Sequence, residues 1–436
     1  MTNDRVFRFV GPFAELSTDD KALIVDRTSN SGSSVGAVVS AIIARVRKDG
    51  DQALRELASE LDQVALTDIE VPHIRMVEAL ESLPADLRRA MERSARNIRA
   101  FHESQRPSAG SIIIEPGVRL GRRPDPFERV GVYAPGGRAA YPSSVLMGTI
   151  PAKVAGVAEI ILCSPPTSSG IPADSILAAA QIAGVDRVFA VGGAGAIAAM
   201  CMGTETIPRT NKVVGPGNAY VAEAKLQLAT AAAFDSPAGP SELLLIADET
   251  ANVDSVVREV LAQAEHDPEA IVIVVAIGDT TAREIESAIS SKVPSARRSE
   301  IIAASLSSRG GVVSAASRDE AISISNAFAP EHLLVATSNP EEIFDRIRNA
   351  GTVFLGESSS VSFGDYMTGA NHVLPTGGLA RSYSGLSTLD FMRWTTFQSV
   401  TTDAAAAMAN DVSAFANAEG LYAHGAAAAA WAKGSQ

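Results

Sequence analysis

The stretch EIILCSPPTSSGIPADSILAAAQIAGVDRVFAVGGAGAIAAM, residues 159–200, carries the rhythm that decides the fold. A short apolar run, EIILCS (159–164), leads into an Ala-rich helical segment. A second run, RVFAVGG (187–193), ends in a Gly-rich turn that opens another helical segment. Short apolar runs alternating with helices predict parallel strands buried on both faces. The same pattern returns at GVYAP (131–135), KVVGPG (212–217), ELLLIAD (242–248) and AIVIVVAIG (270–278). It continues at GVVSAAS (311–317), HLLVATS (332–338) and GTVFLG (351–356). Between Ser34 and about Glu103, apolar residues at three- and four-residue spacing predict helices. From Leu389 the chain turns Ala-rich and reads as a helical arm that packs on a partner subunit.

The expected fold class is therefore α/β: two doubly wound, Rossmann-like domains, a helical N-terminal region and a helical C-terminal dimerisation arm. Turn-rich segments at Pro237-Ala238-Gly239-Pro240 and Pro124-Asp125-Pro126-Phe127 mark the breaks. The expected division is an N-terminal arm over 1–24, one α/β domain from 25–127 and 240–388, a second over 128–239, and the arm over 389–436.

Composition narrows the function classes. A chain of 436 residues with 46% hydrophobic content can bury a large core. Its formal net charge of −13 disfavours nucleic acid as a partner. No apolar run reaches the ~18 residues that span a bilayer, so no membrane association is expected. The N-terminus, MTNDRVFRFVGPFAELSTDD, lacks the apolar core of a signal peptide. Only Cys163 and Cys201 are present, both among apolar neighbours, so buried structural thiols and a reducing cytoplasm fit best.

Polar chemistry is concentrated. Of six histidines, four fall in QAEH (263–266), PEH (330–332), GDYMTGANH (364–372) and AEGLYAH (418–424). Imidazole is the commonest metal ligand and proton shuttle near neutral pH, which points to a metal-dependent enzyme. Gln263 and His266 share a helix face, with Pro268 stopping the helix, and make half a site for a borderline divalent ion. A cationic histidine favoured by the helix dipole accounts for the same pattern. Asp365 and His372 lie in a Gly-bounded loop and could supply ligand or orienting groups, although Asp after Gly is also ordinary turn chemistry. Glu331 and His332 could divide two proton transfers, or simply open a strand. Glu419 and His424 sit on the helical tail, where a surface helix is the plainer reading.

Three Gly-rich turns follow strands: YAPGG (133–137), VGGAGAIAAM (191–200) and GPGN (215–218). They would line the strand ends where open α/β sheets bind ligands, with amides facing a phosphate. Each could equally be turn punctuation. There is no G-x-G-x-x-G fingerprint at the first strand–helix turn.

In this order, these segments resemble the histidinol dehydrogenase family. The likeness runs from RVRKDGDQALRELASELD through ERVGVYAPGGRAAYPSSVLMGTIPAKVAGV, GTETIPRTNKVVGPGNAYVAEAK and DSPAGPSELLLIADE to AQAEHDP, APEHL, GDYMTGANHVLPT and AEGLYAH. The resemblance implies NAD-linked, zinc-dependent oxidation of L-histidinol to L-histidine through the bound aldehyde. Gln263, His266, Asp365 and His424 match the zinc ligands, and Glu331 and His332 the catalytic pair. Substrate contacts would come from Ser241, His372, Glu419 and His332 together with the metal ligands. Tyr133, Asn218 and position 195 match NAD contacts, so residues 128–239 would bind NAD and residues 25–127 with 240–388 the zinc and substrate. The family is a homodimer with shared active sites, which would bring Glu419 and His424 across the interface.

The sequence departs from the family at Gly195, where GGAQAIAAL normally has Gln, and at Arg138 and the Met200-Cys201-Met202 run. Those departures raise an alternative substrate, such as a sulfonated propanediol or another amino alcohol, since a guanidinium suits an anion. A non-catalytic metal-binding relative is the other class, and the retained Glu331-His332 pair argues against it.

Overall fold

The computed structural model describes residues 6–27, 33–136, 140–237 and 239–432. Fifteen strands occur among them: β1 Phe9–Pro12, β2 Glu70–Val71, β3 Gly110–Glu115, β4 Val118–Pro126, β5 Arg129–Tyr133, β6 Glu159–Cys163, β7 Arg187–Phe189 and β8 Lys212–Val214. The rest are β9 Ala233–Phe234, β10 Glu242–Ala247, β11 Ile271–Ile277, β12 Gly311–Ala315, β13 His332–Ala336, β14 Thr352–Leu355 and β15 Met392–Val400. The chain groups into two compact units, Met1–Gln105 with Glu128–Phe391, and Arg106–Phe127 with Met392–Gln436.

The larger unit holds two six-stranded sheets, ordered β2-β7-β6-β5-β8-β9 and β1-β12-β11-β10-β13-β14. Five parallel strands in each follow the doubly wound order 3-2-1-4-5. The antiparallel β2 closes one edge of the first sheet, and the parallel β1 closes one edge of the second. All the expected strands form, ending one to four residues earlier where the Gly turns begin. Burial on both faces explains their unbroken Val, Ile and Leu runs: β10 is buried throughout, as is β11 up to its last residue.

Two placements differ from expectation. The helix Ser33–Leu57 packs on the first sheet rather than with residues 240–388: Val39, Ile42, Ile43, Val46, Leu54 and Leu57 share a core with Ile161 and Phe189 of that sheet and with Ile197 of its helix Gly193–Met202. Ala and Gly on the facing helix Gly193–Met202 let that apolar stripe approach closely. Residues 9–12, placed in a terminal arm, instead pair with β12 as an edge strand.

The smaller unit is a three-stranded antiparallel sheet, β15-β4-β3, with helices Thr402–Ala418 and Tyr422–Ala429. The expected arm is therefore helical only from Thr402. Before it, MRWTTFQSV forms a strand because its aromatic and β-branched residues suit a pleated ladder. Arg119 and Arg122 of β4 lie over the Phe397 and Trp394 rings. The break expected at 124–127 thus falls at the end of β4, where the chain passes to the larger unit.

Candidate active site

The two sheets of the larger unit are joined end to end in a specific sense. Chain leaves the carboxyl end of β9 at Phe234 and enters the amino end of β10 at Glu242. Seven residues between them (235–241) can span roughly 25 Å at most. The link runs from the carboxyl edge of the first sheet to the amino edge of the second, and the candidate residues of the larger unit lie at those two edges.

At the amino edge of the second sheet, helix Arg318–Phe328 ends on Ala329, which adopts a left-handed φ of 53°. Pro330 then prevents further helix, so Glu331 and His332 enter β13 directly. Glu331 and His332 are 6% and 4% exposed. Glu331 Oε2 accepts from the Glu242 amide at 2.7 Å and lies 3.4 Å from His332 Nδ1. His332 Nδ1 lies 3.1 Å from the Glu242 carbonyl oxygen and donates to it. That bond leaves His332 Nε2 buried and without a hydrogen-bond partner among the described residues, 3.6 Å from Asp365 Oδ1.

Burial pushes the Glu331 carboxyl above its ordinary range, with the neighbouring imidazole opposing it. Burial pulls His332 down, but the Glu331 and Asp365 carboxylates outweigh it and hold the imidazole well above its usual value. A buried carboxyl and a buried imidazole in contact, both held above their ordinary range, are the groups a proton-transfer site needs.

Asp365 is the fifth residue of the short helix Val361–Tyr366. Burial raises its carboxyl, but His332, His372 and His266 around it leave the net shift downward. His372 Nδ1 donates to the Asp365 carbonyl at 3.0 Å, and desolvation lowers its pKa. The loop is tied across to helices flanking the first sheet: Asn371 Nδ2 donates to Met147 O at 2.8 Å, and Asn97 Nδ2 to Met367 O at 2.7 Å. Gln263 sits in the last turn of helix Val253–Ala264, only 3% exposed, with its amide nitrogen unpartnered. His266 follows that helix and is exposed. Ser241 immediately precedes β10, half-buried.

At the carboxyl edge of the first sheet, Tyr133 ends β5, buried, with its hydroxyl accepting from the Gly193 amide at 3.0 Å. Desolvation pushes that phenol up to about 12. Gly215 follows β8 with φ 123°, and a Cβ there would lie 2.0 Å from the Tyr133 carbonyl oxygen, so only glycine fits. Its amide donates to Asp235 at 2.7 Å, and Asp235 pairs with buried Lys225 at 2.5 Å. Asn218 caps helix Ala219–Gln227, its Oδ1 accepting from the Tyr220 and Val221 amides, so only its Nδ2 remains to donate outward.

Gly195 is buried, and a Cβ added there would meet Leu57 Cδ1 at 3.1 Å. That direction is into the core, so loss of a side chain at 195 opens no slot. Arg138 lies outside the described residues. Cys163 and Cys201 are fully buried, their thiols pushed up by desolvation, as structural cysteines should be.

Glu331, His332, Asp365 and His372 are thus brought together, with His266 within electrostatic range of Asp365. Glu419 and His424 belong to the smaller unit, where both are exposed. Among the described residues, no three His, Cys, Asp or Glu side chains converge as a metal cage. The sequence reading missed Glu242 and Arg27, a fully buried pair at 2.9 Å beside the candidate site. A glutamate opening an all-apolar strand was the available signal, since buried charges require partners. Arg27 offered none.

Two doubly wound sheets, one ending at glycine turns and the other opening on a buried carboxyl–imidazole pair, define an α/β protein with the groups of a proton-transfer enzyme. The family model described as histidinol dehydrogenase matches residues 25–431. A Methanosarcina mazei histidinol dehydrogenase is 45% identical over 391 residues, 89% of this chain and 90% of that protein. One from Vibrio parahaemolyticus is 42% identical over 413 residues, 94% of this chain and 95% of that one. The crystal structure of histidinol dehydrogenase from Elizabethkingia anophelis superposes with a TM-score of 0.92 at 36% identity, covering 98% of each chain. The chain belongs to the histidinol dehydrogenase family.

Proposed function

We propose that this enzyme oxidises L-histidinol to L-histidine in two NAD-linked steps at a zinc-containing site, through a bound aldehyde. The observation that carries the reading is the buried Glu331–His332 pair, with His332 Nε2 free beside Asp365, in a chain of this family. Buried Gln263, whose amide oxygen can serve as a ligand, and the placement of His266 within electrostatic range of Asp365 fit a metal that takes N and O donors. Gln263, His266 and Asp365 would hold zinc, with His424 as the fourth ligand. Ser241, His372 and Glu419 would complete the substrate pocket. Tyr133 and Asn218 would border NAD at the glycine turns, and Gly195 would offer only backbone there.

When bound, zinc would clamp the substrate's nitrogen atoms and NAD would accept hydride. In the first step His332 Nε2 takes the hydroxyl proton as the carbinol carbon is oxidised. Glu331 then takes a proton from the water that adds to the aldehyde carbonyl, and His332 takes the hydrate's hydroxyl proton in the second oxidation. Keeping the aldehyde bound between steps would prevent loss of a reactive intermediate.

The test is stoichiometry. Zinc-loaded protein with NAD and L-histidinol should yield two NADH per L-histidine, and absence of histidine among the products would sink the reading.

We further propose a homodimer in which Glu419 and His424 reach the partner's site. The exposed Ile112, Ile113, Phe415, Tyr422 and Trp431 of the smaller unit support such an interface. Co-refolding inactive His332→Asn with inactive His424→Ala should restore up to half the sites of each heterodimer, since one site collects both defects and the other neither. No recovery in confirmed heterodimers would exclude sharing.

A further inference from the structure

Residue 242 stands between the two catalytic candidates. Its amide donates to Glu331 Oε2 at 2.7 Å, and its carbonyl accepts from His332 Nδ1 at 3.1 Å. The first bond favours an acceptor carboxylate at Glu331. The second places a proton on Nδ1 and turns Nε2, buried and without a hydrogen-bond partner among the described residues, toward Asp365. Wherever the backbone of residue 242 sits, both partners follow.

That backbone is anchored by its own side chain. Glu242 is 1% exposed and receives three donors: Arg27 Nε at 3.0 Å, Arg27 Nη2 at 2.9 Å and the Gly377 amide at 2.9 Å. Arg27 is itself buried, and all of its donors are engaged. Beyond the two bonds to Glu242, it donates to the carbonyl oxygens of Phe328 (2.9 Å), Ile24 (2.9 Å) and Val25 (3.2 Å). Its guanidinium also lies 3.4 Å over the Phe328 ring. Phe328 ends the helix that delivers Glu331 and His332 three residues later. One guanidinium therefore joins the strand start that clamps the acid–base pair to the helix end that presents it.

We propose that Arg27 is a positioning residue for the oxidation chemistry: through Glu242 and Phe328 it fixes the Glu331 carboxyl and the His332 ring, with Nδ1 bonded to the Glu242 carbonyl and Nε2 turned toward Asp365. This rests on Glu331 and His332 being the catalytic pair. A lysine has three donors and no planar fork, so it keeps the charge but cannot make this set of bonds.

The experiment uses full-length, zinc-loaded Arg27→Lys and Arg27→Gln proteins beside wild type. Steady-state rates with L-histidinol and NAD are measured, together with 15N spectra of imidazole-labelled protein, in which a His332→Gln variant identifies the His332 signals. Both variants should lose kcat by at least roughly tenfold, in the range typical of removing an orienting outer partner. KM for NAD and zinc content should stay near wild type. The His332 Nδ1 signal should lose the shift that marks its hydrogen bond to the Glu242 carbonyl. Wild-type kcat in Arg27→Lys, or a rate loss that only tracks the fraction unfolded while the His332 signals stay put, would overturn the proposal. Wild type without histidinol turnover would instead defeat the substrate reading, and the imidazole spectra, which need no substrate, would still decide the role of Arg27.

Discussion

The two sheets of the larger unit share one strand order, yet they carry candidate residues at opposite ends. In the first sheet Tyr133, Gly193 and Gly215 lie where β5, β7 and β8 finish. In the second, Glu242 and His332 are the first residues of β10 and β13. Carboxyl ends of parallel strands feed helix N-termini and glycine turns, which present amides and suit a phosphate-bearing cofactor. The amino ends of the second sheet present paired backbone groups of Glu242 instead, which hold titratable side chains in fixed protonation geometry. Similar topology does not dictate similar use; the seven-residue link that joins unlike edges does.

The largest effect expected from this contrast is at the second sheet. His332→Asn should cost on the order of 10²–10⁴ in alcohol oxidation while NAD binding at the first sheet stays unchanged. Glu331→Gln should spare alcohol oxidation relative to aldehyde oxidation. Separate assays with alcohol and aldehyde, with NAD titrations alongside, decide this. Equal losses in both half-reactions for Glu331→Gln would contradict the division of labour.

Next comes metal affinity. His266→Ala or Asp365→Ala should weaken zinc binding by at least roughly tenfold, measured as metal retained after dialysis against chelator. Full retention in both would remove these residues from the ligand set.

The first sheet is probed by Gly215→Ala. Its φ of 123° and the 2.0 Å approach to the Tyr133 carbonyl leave no room for a methyl group. Stability should fall by roughly 1–3 kcal/mol, and NAD affinity by on the order of tenfold as the turn shifts. Calorimetry of the zinc-loaded variant, with proton-transfer residues untouched, separates this from damage at the second sheet.

The smallest effect belongs to Gly195→Ala. A helix-favouring methyl worth about 1 kcal/mol is set against a 3.1 Å contact with flexible Leu57. Melting temperature and NAD affinity should both stay near wild type, and a sharp loss of NAD binding would show that a side chain at position 195 reaches the cofactor after all.

Much of this was legible because it is local. Short, β-branched apolar runs such as IVIVVAI (271–277) read as strands buried on both faces, and the Gly turns mark several of their ends. The strand Met392–Val400 was not legible: beside an Ala-rich tail its alternation is weak, and its pairing with β4 spans the chain. Glu331, His332, Asp365 and His372 could be named from segment order and family resemblance. Nothing in the sequence could tell which imidazole nitrogen is free, because that depends on a carbonyl ninety positions away.

By itself the sequence determined the α/β class, the alternation of strands and helices, the family and the candidate residues. Those follow from periodicity and short-range chemistry, which neighbouring residues settle among themselves. Only the tertiary structure decided that the helix Ser33–Leu57 packs on the first sheet and that the acid–base pair sits at the amino edge of the second. It alone revealed that Arg27, 215 positions from Glu242, lies against it. A buried charge must find its partner wherever the fold brings one, and the linear order of residues carries no record of that meeting.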